Sequence, residues 1–264
     1  MNATSSAPMG PPPSIRAPSA GRDAFSTANL VRETSPIPGV RLAQVDILQF
    51  VRRYLPGMGR VQGLAQRPVP LSAFASRPGF LSQAEFAGVG RFRSLKKQVE
   101  WICGRLAAKT AVAAAAGVGL DLKYINLAYE KEGAPYVRTL PGLPLSIAHS
   151  GAWAVAVAGG RGRIGLDIEP VPARDLGFLL EAGFSRRERL ALIGASAETV
   201  IRRWTLKEAF LKFIAKGFNE SLAAVEILDG RLYYHGCLME NLAVICDPLD
   251  GGYVMSLVFA ESGD

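Results

Sequence analysis

The chain has 264 residues, a formal net charge of +7 at pH 7 and a hydrophobic fraction of 49%. That length and apolar content allow a sizeable core in one large domain or two smaller ones. Three cysteines without a CxxC pair argue against a disulfide framework, and two histidines are too few for a histidine-based zinc cluster.

The N-terminal stretch carries no hydrophobic segment typical of a secretory signal. It is rich in Pro, Ser and Ala, so we expect residues 1–40 to form a disordered tail. The alanine-rich run from Ala111 to Leu120 is too short to span a bilayer. Reduced cysteines and the missing membrane signals together predict a cytoplasmic protein without a membrane partner. The basic charge predicts an acidic partner, and the missing RGG-like and aromatic-basic tracts argue against nucleic acid.

Two segments of the chain resemble each other at an offset of 103 residues, counted from Ser82 to Ser185. Each begins with Ser-x-x-Glu, which is typical of a capping box that opens a helix. In each, a later helix carries a tryptophan and a lysine. Duplication explains this register, and coincidence over four positions is the alternative. The paired positions are Ser82 and Ser185, Glu85 and Glu188, Trp101 and Trp204, and Lys109 and Lys212.

Strand-like runs follow each helical block. In the second half they are separated by turn signals at Asp229-Gly230 and Gly251-Gly252, which favour antiparallel hairpins. The segment DILQFVRRYL near the start of the first half fits either a short strand or a helix. Helices followed by strands, twice, predict an α+β fold of two pseudo-duplicated halves, residues 41–161 and 162–264. We expect a ligand site in the cleft between them.

The strand-like segment IGLDIEP places Asp167 and Glu169 on one face, although its Leu and Ile residues indicate burial. Two adjacent carboxylates on a buried strand repel each other, so a positive group must compensate for them. The alternative is an exposed edge strand whose charges prevent aggregation.

A third carboxylate, Glu208, lies on the apolar stripe of the helix that begins near Val200. Lys212 follows it by four residues, so an ordinary i,i+4 ion pair is the alternative explanation. Three carboxylates near buried faces, without His or Cys ligands, favour Mg²⁺ over zinc.

His149 lies between small residues in LSIAHSGAW. A serine hydrolase that uses Ser146 or Ser150 with this histidine is one interpretation, but the chain has no GxSxG elbow. A structural histidine and a phosphate contact are the others.

The combination of GLDIE, FSRRE and WTLKEAFLKFIAKG resembles the signature of the 4′-phosphopantetheinyl transferases. It is most similar to the Sfp-type group, in which two similar halves lie in one chain. The resemblance implies Mg²⁺-dependent transfer of phosphopantetheine from coenzyme A to a serine of an apo acyl or peptidyl carrier protein. Adenosine 3′,5′-bisphosphate is released. Carrier proteins of fatty acid, polyketide and nonribosomal peptide biosynthesis are all open as partners, and carriers are commonly acidic.

The resemblance also implies a role for each matched residue. Glu208 is the implied general base for the carrier serine, and Lys212 the group that neutralises the pyrophosphate. The implied Mg²⁺ ligands are Asp167, Glu169 and Glu208. The implied coenzyme A contacts are Arg93, Lys96, Lys109, His149 and Lys207, with Lys109 and His149 at the 3′-phosphate.

Three positions depart from the family pattern. Ala134 replaces the Lys of Gly-Lys-Pro, Ala148 replaces a Ser, and Lys109 stands where Arg is usual. We therefore expect weaker coenzyme A binding without loss of the chemistry.

Two rival classes remain beside the transferase. One is a non-catalytic module that binds coenzyme A or a carrier protein, which the intact carboxylate set argues against. The other is a different Mg²⁺-dependent phosphotransferase, which the missing P-loop and kinase motifs argue against. We expect a monomer, since a duplicated chain forms its cleft alone.

Overall fold

The computed structural model describes residues 30–56, 58, 67–117, 119–173 and 176–260. Within these ranges the fold mixes helices and antiparallel strands. The α-helices are α1 (Ile47–Tyr54), α2 (Gln83–Gly88), α3 (Leu95–Ala116), α4 (Gly177–Gly183), α5 (Arg186–Ala191) and α6 (Ala197–Phe213). The strands are β1 (Val31–Thr34), β2 (Val40–Asp46), β3 (Leu127–Tyr129), β4 (Pro135–Val137), β5 (Leu145–Ser150), β6 (Trp153–Gly159), β7 (Ile164–Pro170), β8 (Val225–Leu228), β9 (Arg231–Tyr234), β10 (Cys237–Leu238), β11 (Leu242–Leu249) and β12 (Tyr253–Ala260).

The first half consists of an antiparallel sheet in the order β1-β2-β6-β5, covered by α3. Helix α3 begins at the N-cap Ser94, whose side chain accepts a hydrogen bond from the Lys97 amide, and it ends at Gly117 in the left-handed conformation. Its middle turns are buried among the strands, and small residues such as Ala107 and Ala108 let the sheet approach closely. This packing forms the larger apolar core of the described chain.

The second half repeats this arrangement with a sheet in the order β11-β12-β7, covered by α6. A buried hydrogen bond of 2.7 Å between Thr205 Oγ1 and Ser256 Oγ ties α6 to β12. Smaller sheets, β10-β9-β8 and β3-β4, lie outside these two layers.

Both halves follow the same path along the chain. Each runs from a first strand (β2 or β7) through a capping-box helix (α2 or α5) and a long helix (α3 or α6) to a hairpin (β5-β6 or β11-β12). In both sheets the last strand of the path is central. The predicted α+β fold is therefore confirmed, with the two halves alike in topology. The boundary between residues 161 and 162 falls between β6 and β7, and it stays a prediction.

The two sheets meet where β5 runs beside β7. The Leu166 amide donates a 3.0 Å hydrogen bond to Ser146 Oγ, and Ser150 Oγ donates one of 2.7 Å to Glu169 Oε2. With β12 on its other side, β7 is enclosed, and Asp167 is only 5% exposed. The exposed-edge explanation of this strand is therefore wrong.

The structure decides one alternative that the sequence left open and differs from one sequence prediction. The DILQFVRRYL segment forms α1, capped by Asp46, whose side chain accepts from the Gln49 amide. Within the predicted tail of residues 1–40, β1 pairs with β2 in a four-residue antiparallel register, because that sheet offers partners that composition does not reveal. Residues 1–29 lie outside the described residues. None of the described helices has the length and apolar character needed to cross a membrane.

Candidate active site

The glycine of the GLDIE motif brings strand β7 against helix α6. A Cβ atom at Gly165 would collide with the backbone oxygen of Ala209 and the backbone nitrogen of Phe213. Only glycine permits this approach. The approach carries Asp167 and Glu169, further along β7, towards Glu208 and Lys212 on α6.

Lys212 is the positive group beside the strand carboxylates. Its Nζ donates a 2.7 Å hydrogen bond to Asp167 Oδ1, while Asp167 Oδ2 is buried without a partner among the described residues. Glu169 is held by Ser150. The carboxylates of Asp167 and Glu169 both act electrostatically on Glu208. The structure thus brings together four residues that the resemblance assigned to the reaction.

The charge of Lys212 does not balance three carboxylates. Burial, then the charges of Asp167 and Glu169, raise the pKa of Glu208 to about 7 against the opposing effect of Lys212. Burial also raises the pKa of Asp167 and of Glu169. These carboxyl groups are easier to protonate than usual, which is the behaviour of a site short of positive charge.

The donor set suits a hard cation. Carboxylate oxygens are the ligands that Mg²⁺ prefers, and the unpartnered Asp167 Oδ2 offers one of them. Among the described residues, no three His, Cys, Asp or Glu side chains already stand in a metal-holding arrangement. The residues therefore fit Mg²⁺ by chemistry, and Lys212 occupies the other oxygen of Asp167.

A cavity of about 330 Å³ opens next to this cluster, and Lys212 lines it. Its wall on α3 includes Lys97 and Glu100, and β5 contributes His149. The segment Gly133-Ala134-Pro135, where the family pattern has a lysine, also lines the cavity. Burial is the main cause that lowers the pKa of His149. Lys212 thus connects the carboxylates to a cavity large enough for a small ligand.

Aromatic and cationic side chains form the end of the cavity near α3. The Arg105 guanidinium lies 4.7 Å from the centre of the Trp101 ring and 4.9 Å from that of Tyr129. It is 5% exposed and donates a 3.3 Å hydrogen bond to Tyr129 Oη. Sequence reasoning missed Arg105, because nothing in its spacing distinguishes a cavity wall from core.

Two lysines expected to bind coenzyme A lie elsewhere. The Lys109 side chain is completely buried, and its Nζ donates to Glu85 Oε2 at 2.6 Å and to the Phe80 carbonyl at 3.0 Å. Lys207 is equally buried and makes the same bonds to Glu188 Oε2 and the Gly183 carbonyl. The structure argues against the predicted coenzyme A contacts of Lys109 and Lys207, because both ammonium groups pair with the glutamates of the capping boxes.

These bonds also correct the register of the internal repeat. Lys109 lies 24 residues after Glu85, whereas Lys207 lies 19 after Glu188. By its partners, the counterpart of Lys109 is Lys207 and not Lys212. The 103-residue register holds for the capping boxes and fails along the long helices.

Arg93 and Lys96 are exposed, and neither is among the described residues that line the cavity. Lys96 Nζ lies 3.6 Å from Glu100 Oε1 on the same helix. Glu100 and Lys97, which the sequence reasoning missed, do line the cavity. Their i,i+3 spacing was a signal that could have found them.

The serine hydrolase alternative lacks its nucleophile. Ser146 Oγ accepts from the Leu166 amide, and Ser150 Oγ donates to Glu169. Neither hydrogen bond involves His149, so neither serine is paired with a histidine base.

A family model described as the 4′-phosphopantetheinyl transferase superfamily matches residues 163–244. The chain is 32% identical over 109 residues to 4′-phosphopantetheinyl transferase psf-1 of Bacillus pumilus, covering 40% of this chain and 46% of that one. It is 29% identical over 119 residues to a 4′-phosphopantetheinyl transferase of Bacillus subtilis, covering 44% and 52%. The matches thus span about half the length of these curated relatives.

Among solved structures, the holo-[acyl-carrier-protein] synthase of Thermotoga maritima is similar at a TM-score of 0.31 and 23% identity, covering 38% of this chain and 63% of that one. A TM-score this low bears on neither fold nor activity. The matched segment 163–244 contains β7 and α6, and with them every carboxylate of the cluster. The family resemblance is thereby confirmed over residues 163–244, the segment that matches the model of the 4′-phosphopantetheinyl transferase superfamily.

Proposed function

We propose that the protein transfers 4′-phosphopantetheine from coenzyme A to a serine of an apo carrier protein, with Mg²⁺ as cofactor. The observation that carries the proposal is the position of Lys212. It bonds Asp167 on one side and lines the ligand cavity on the other. A phosphate-bearing ligand in the cavity would thus meet the carboxylate cluster at one lysine.

Asp167, Glu169 and Glu208 are the residues that would hold Mg²⁺. When bound, Mg²⁺ supplies positive charge that stabilises the pyrophosphate and the departing nucleotide. Positive charge suits the cluster, since burial and the neighbouring carboxylates raise the pKa of Glu208 to about 7. Lys212 adds a second positive group at the same place and balances charge that develops on the phosphoryl oxygens.

The transfer itself exchanges one phosphorus–oxygen bond for another. The carrier serine oxygen attacks the β-phosphorus of coenzyme A, and the bond from that phosphorus to the bridging oxygen breaks. Adenosine 3′,5′-bisphosphate leaves with the bridging oxygen. Glu208 accepts the serine proton, directly or through water.

The cavity is proposed to bind the nucleotide end of coenzyme A. Its volume of about 330 Å³ lies at the lower end of small-molecule sites, and its wall combines cations with aromatic rings. Lys97 and Lys212 supply positive charge for phosphates, and the His149 ring offers a hydrogen-bonding nitrogen. Ala134, which also lines the cavity, supplies no charge, which supports the expectation of weak binding.

The carrier partner is proposed from charge. A net charge of +7 favours association with acidic proteins, and the association rate of such pairs falls as salt rises.

Release of adenosine 3′,5′-bisphosphate tests the proposal. The protein is incubated with coenzyme A, Mg²⁺ and an apo carrier protein, and nucleotides are separated by chromatography. We expect release with the carrier and none with a carrier whose acceptor serine is replaced by alanine. Coenzyme A binding without release, across fatty acid, polyketide and peptide carriers, would instead identify a non-catalytic binding module.

A further inference from the structure

One carboxylate of the cavity has no part in the proposed transfer. Glu100 on α3 is 3% exposed and lines the cavity beside Lys97 and His149. Burying a carboxylate is costly, so its position requires compensating cations.

Three cationic or ionisable groups surround Glu100. Its Oε2 lies 3.1 Å from Lys97 Nζ and 3.7 Å from His149 Nδ1, and its Oε1 lies 3.6 Å from Lys96 Nζ. His149 belongs to β5, whereas both lysines belong to the first turns of α3. The Glu100 side chain therefore bridges two elements at the cavity wall.

The charged groups near His149 have opposite effects on its pKa. Burial is the largest influence and lowers the pKa of His149, and the charges of Lys97 and Lys212 lower it further. Glu100 is the neighbouring carboxylate that opposes them. Without Glu100, Lys97 and His149 would face the same space with no negative charge to hold them together.

We propose that Glu100 is a positioning residue that holds Lys97 and the His149 ring at the cavity wall, where they contact the 3′-phosphate of coenzyme A. The inference rests on the proposed function and deepens it. Glu100 itself touches no substrate.

The direction in which coenzyme A binding changes distinguishes a positioning role of Glu100 from a purely electrostatic one. A carboxylate near an anion site repels the anion, so its charge alone would weaken coenzyme A binding. Neutralising Glu100 would then tighten binding. A positioning role predicts the opposite, because Lys97 and the His149 ring lose the carboxylate that orients them.

The experiment measures kcat and KM for Glu100→Gln with coenzyme A and with 3′-dephospho-coenzyme A, which lacks the phosphate in question. We expect KM for coenzyme A to rise roughly threefold, the size of one partly exposed ion pair, with kcat within about twofold. KM for the dephospho compound should stay near that of the unmodified protein.

Glu132→Gln is the matched control, because Glu132 lines the same cavity from the turn between β3 and β4 but is exposed. Removing the Glu132 charge should lower KM for coenzyme A slightly, because only the repulsion between that carboxylate and the ligand's phosphates is lost. Glu100→Asp keeps the charge and shortens the reach, so a rise in KM is expected there too. If Glu100→Gln does not fold, the Glu100→Asp protein provides the test instead.

A lower KM in Glu100→Gln, or an equal rise for both substrates, would overturn the inference. Calorimetric titration of adenosine 3′,5′-bisphosphate provides a readout without turnover. Binding to the unmodified protein that weakens in Glu100→Gln supports the inference even if no carrier is modified, in which case only the proposed function fails. Equal binding to both proteins, or none to either, contradicts the inference.

Discussion

Three carboxylates converge at one point with a single lysine among them. Lys212 bonds Asp167, while burial and then the neighbouring carboxylates raise the pKa of Glu208 to about 7. Without a bound cation, repulsion among these carboxylates destabilises the folded protein. A bound cation would reduce that repulsion and stabilise the fold.

The raised pKa of Glu208 has a consequence for stability. Above its ordinary pKa of 4.5, the unfolded protein releases this proton while the folded protein keeps it until about pH 7. Because the folded state binds more protons in that window, its free energy of unfolding falls as pH rises from about 4.5 to about 7. The group therefore destabilises the protein at pH 8 in EDTA.

Glu208→Gln removes that destabilising charge. In EDTA at pH 8 we expect its melting temperature to exceed that of the unmodified protein by several degrees, and at pH 4.5 we expect no gain. Scanning calorimetry at both pH values measures this. An equal change at both pH values would show that the pKa of Glu208 is not raised in the folded protein.

Ala134 is the second position where one side chain decides a property. It lines the cavity where the family pattern has lysine. Ala134→Lys should lower KM for coenzyme A by roughly tenfold through a charge-assisted contact, with kcat little changed. Steady-state kinetics measures the change, and an unaltered KM would contradict the expectation of weak nucleotide binding.

At the scale of elements, the site depends on how closely β7 approaches α6. Gly165 makes that approach possible, since a Cβ there would overlap the backbone at Ala209 and Phe213. The two elements carry all of the cluster: Asp167 and Glu169 on the strand, Glu208 and Lys212 on the helix. A small separation would disturb every distance among them.

Gly165→Ala tests this packing. Overpacking at backbone atoms that cannot move aside should destabilise the fold by about 1–3 kcal/mol. It should also lower kcat of the protein that still folds, because the helix carrying Glu208 shifts. Urea unfolding and steady-state kinetics measure the two effects. Unchanged values for both would mean that the strand and helix tolerate a wider spacing.

Lys207 has a structural role although it lies within the WTLKEAFLK motif. Lys207 immediately precedes Glu208, yet its ammonium bonds Glu188 at 2.7 Å with both side chains fully buried. Lys207→Met leaves the Glu188 carboxylate buried and unpaired. The free energy of unfolding should fall by about 3–5 kcal/mol, as for other broken buried pairs.

Denaturant unfolding of Lys207→Met measures this loss, and Lys212→Met is its comparison. Lys212 is partly exposed, so its replacement should cost less stability and more activity. A Lys207→Met protein of normal stability but raised KM for coenzyme A would restore the ligand role that its burial argues against.

At the scale of the whole molecule, the two halves share one topology, and the site lies where their sheets meet. Strand β5 of the first half runs beside β7 of the second, joined by Ser146 to Leu166 and by Ser150 to Glu169. His149 on β5 and the carboxylates on β7 thus belong to one region, as a ligand cleft between similar halves requires.

Much of this arrangement could be predicted from the sequence. Capping boxes at Ser82 and Ser185, turn signals and alternating apolar residues indicated the helices and hairpins, because these signals are local. That Asp167, Glu208 and Lys212 lie together was predictable because their residue types and spacing match a known motif, while their roles stay predictions.

What the sequence could not reveal depends on contacts distant along the chain. The partners of Lys109 and Lys207 follow from how each long helix packs on its capping box. Glu100 is buried and lies 3.7 Å from His149 on β5, a contact between elements that its spacing from Lys97 does not reveal. Strand β1 forms because β2 offers an edge, and a four-residue segment alone does not show that pairing.

The most direct test of the account is the intact mass of an apo carrier protein after incubation with this protein, coenzyme A and Mg²⁺. Parallel samples contain EDTA, or Glu208→Gln in place of the unmodified protein. The account predicts a gain of one phosphopantetheine group in the complete reaction and none in either parallel sample. An equal gain in all three samples would contradict the role of the carboxylate cluster. No gain in any sample, with folded protein and carriers of every class, would contradict the transferase activity itself.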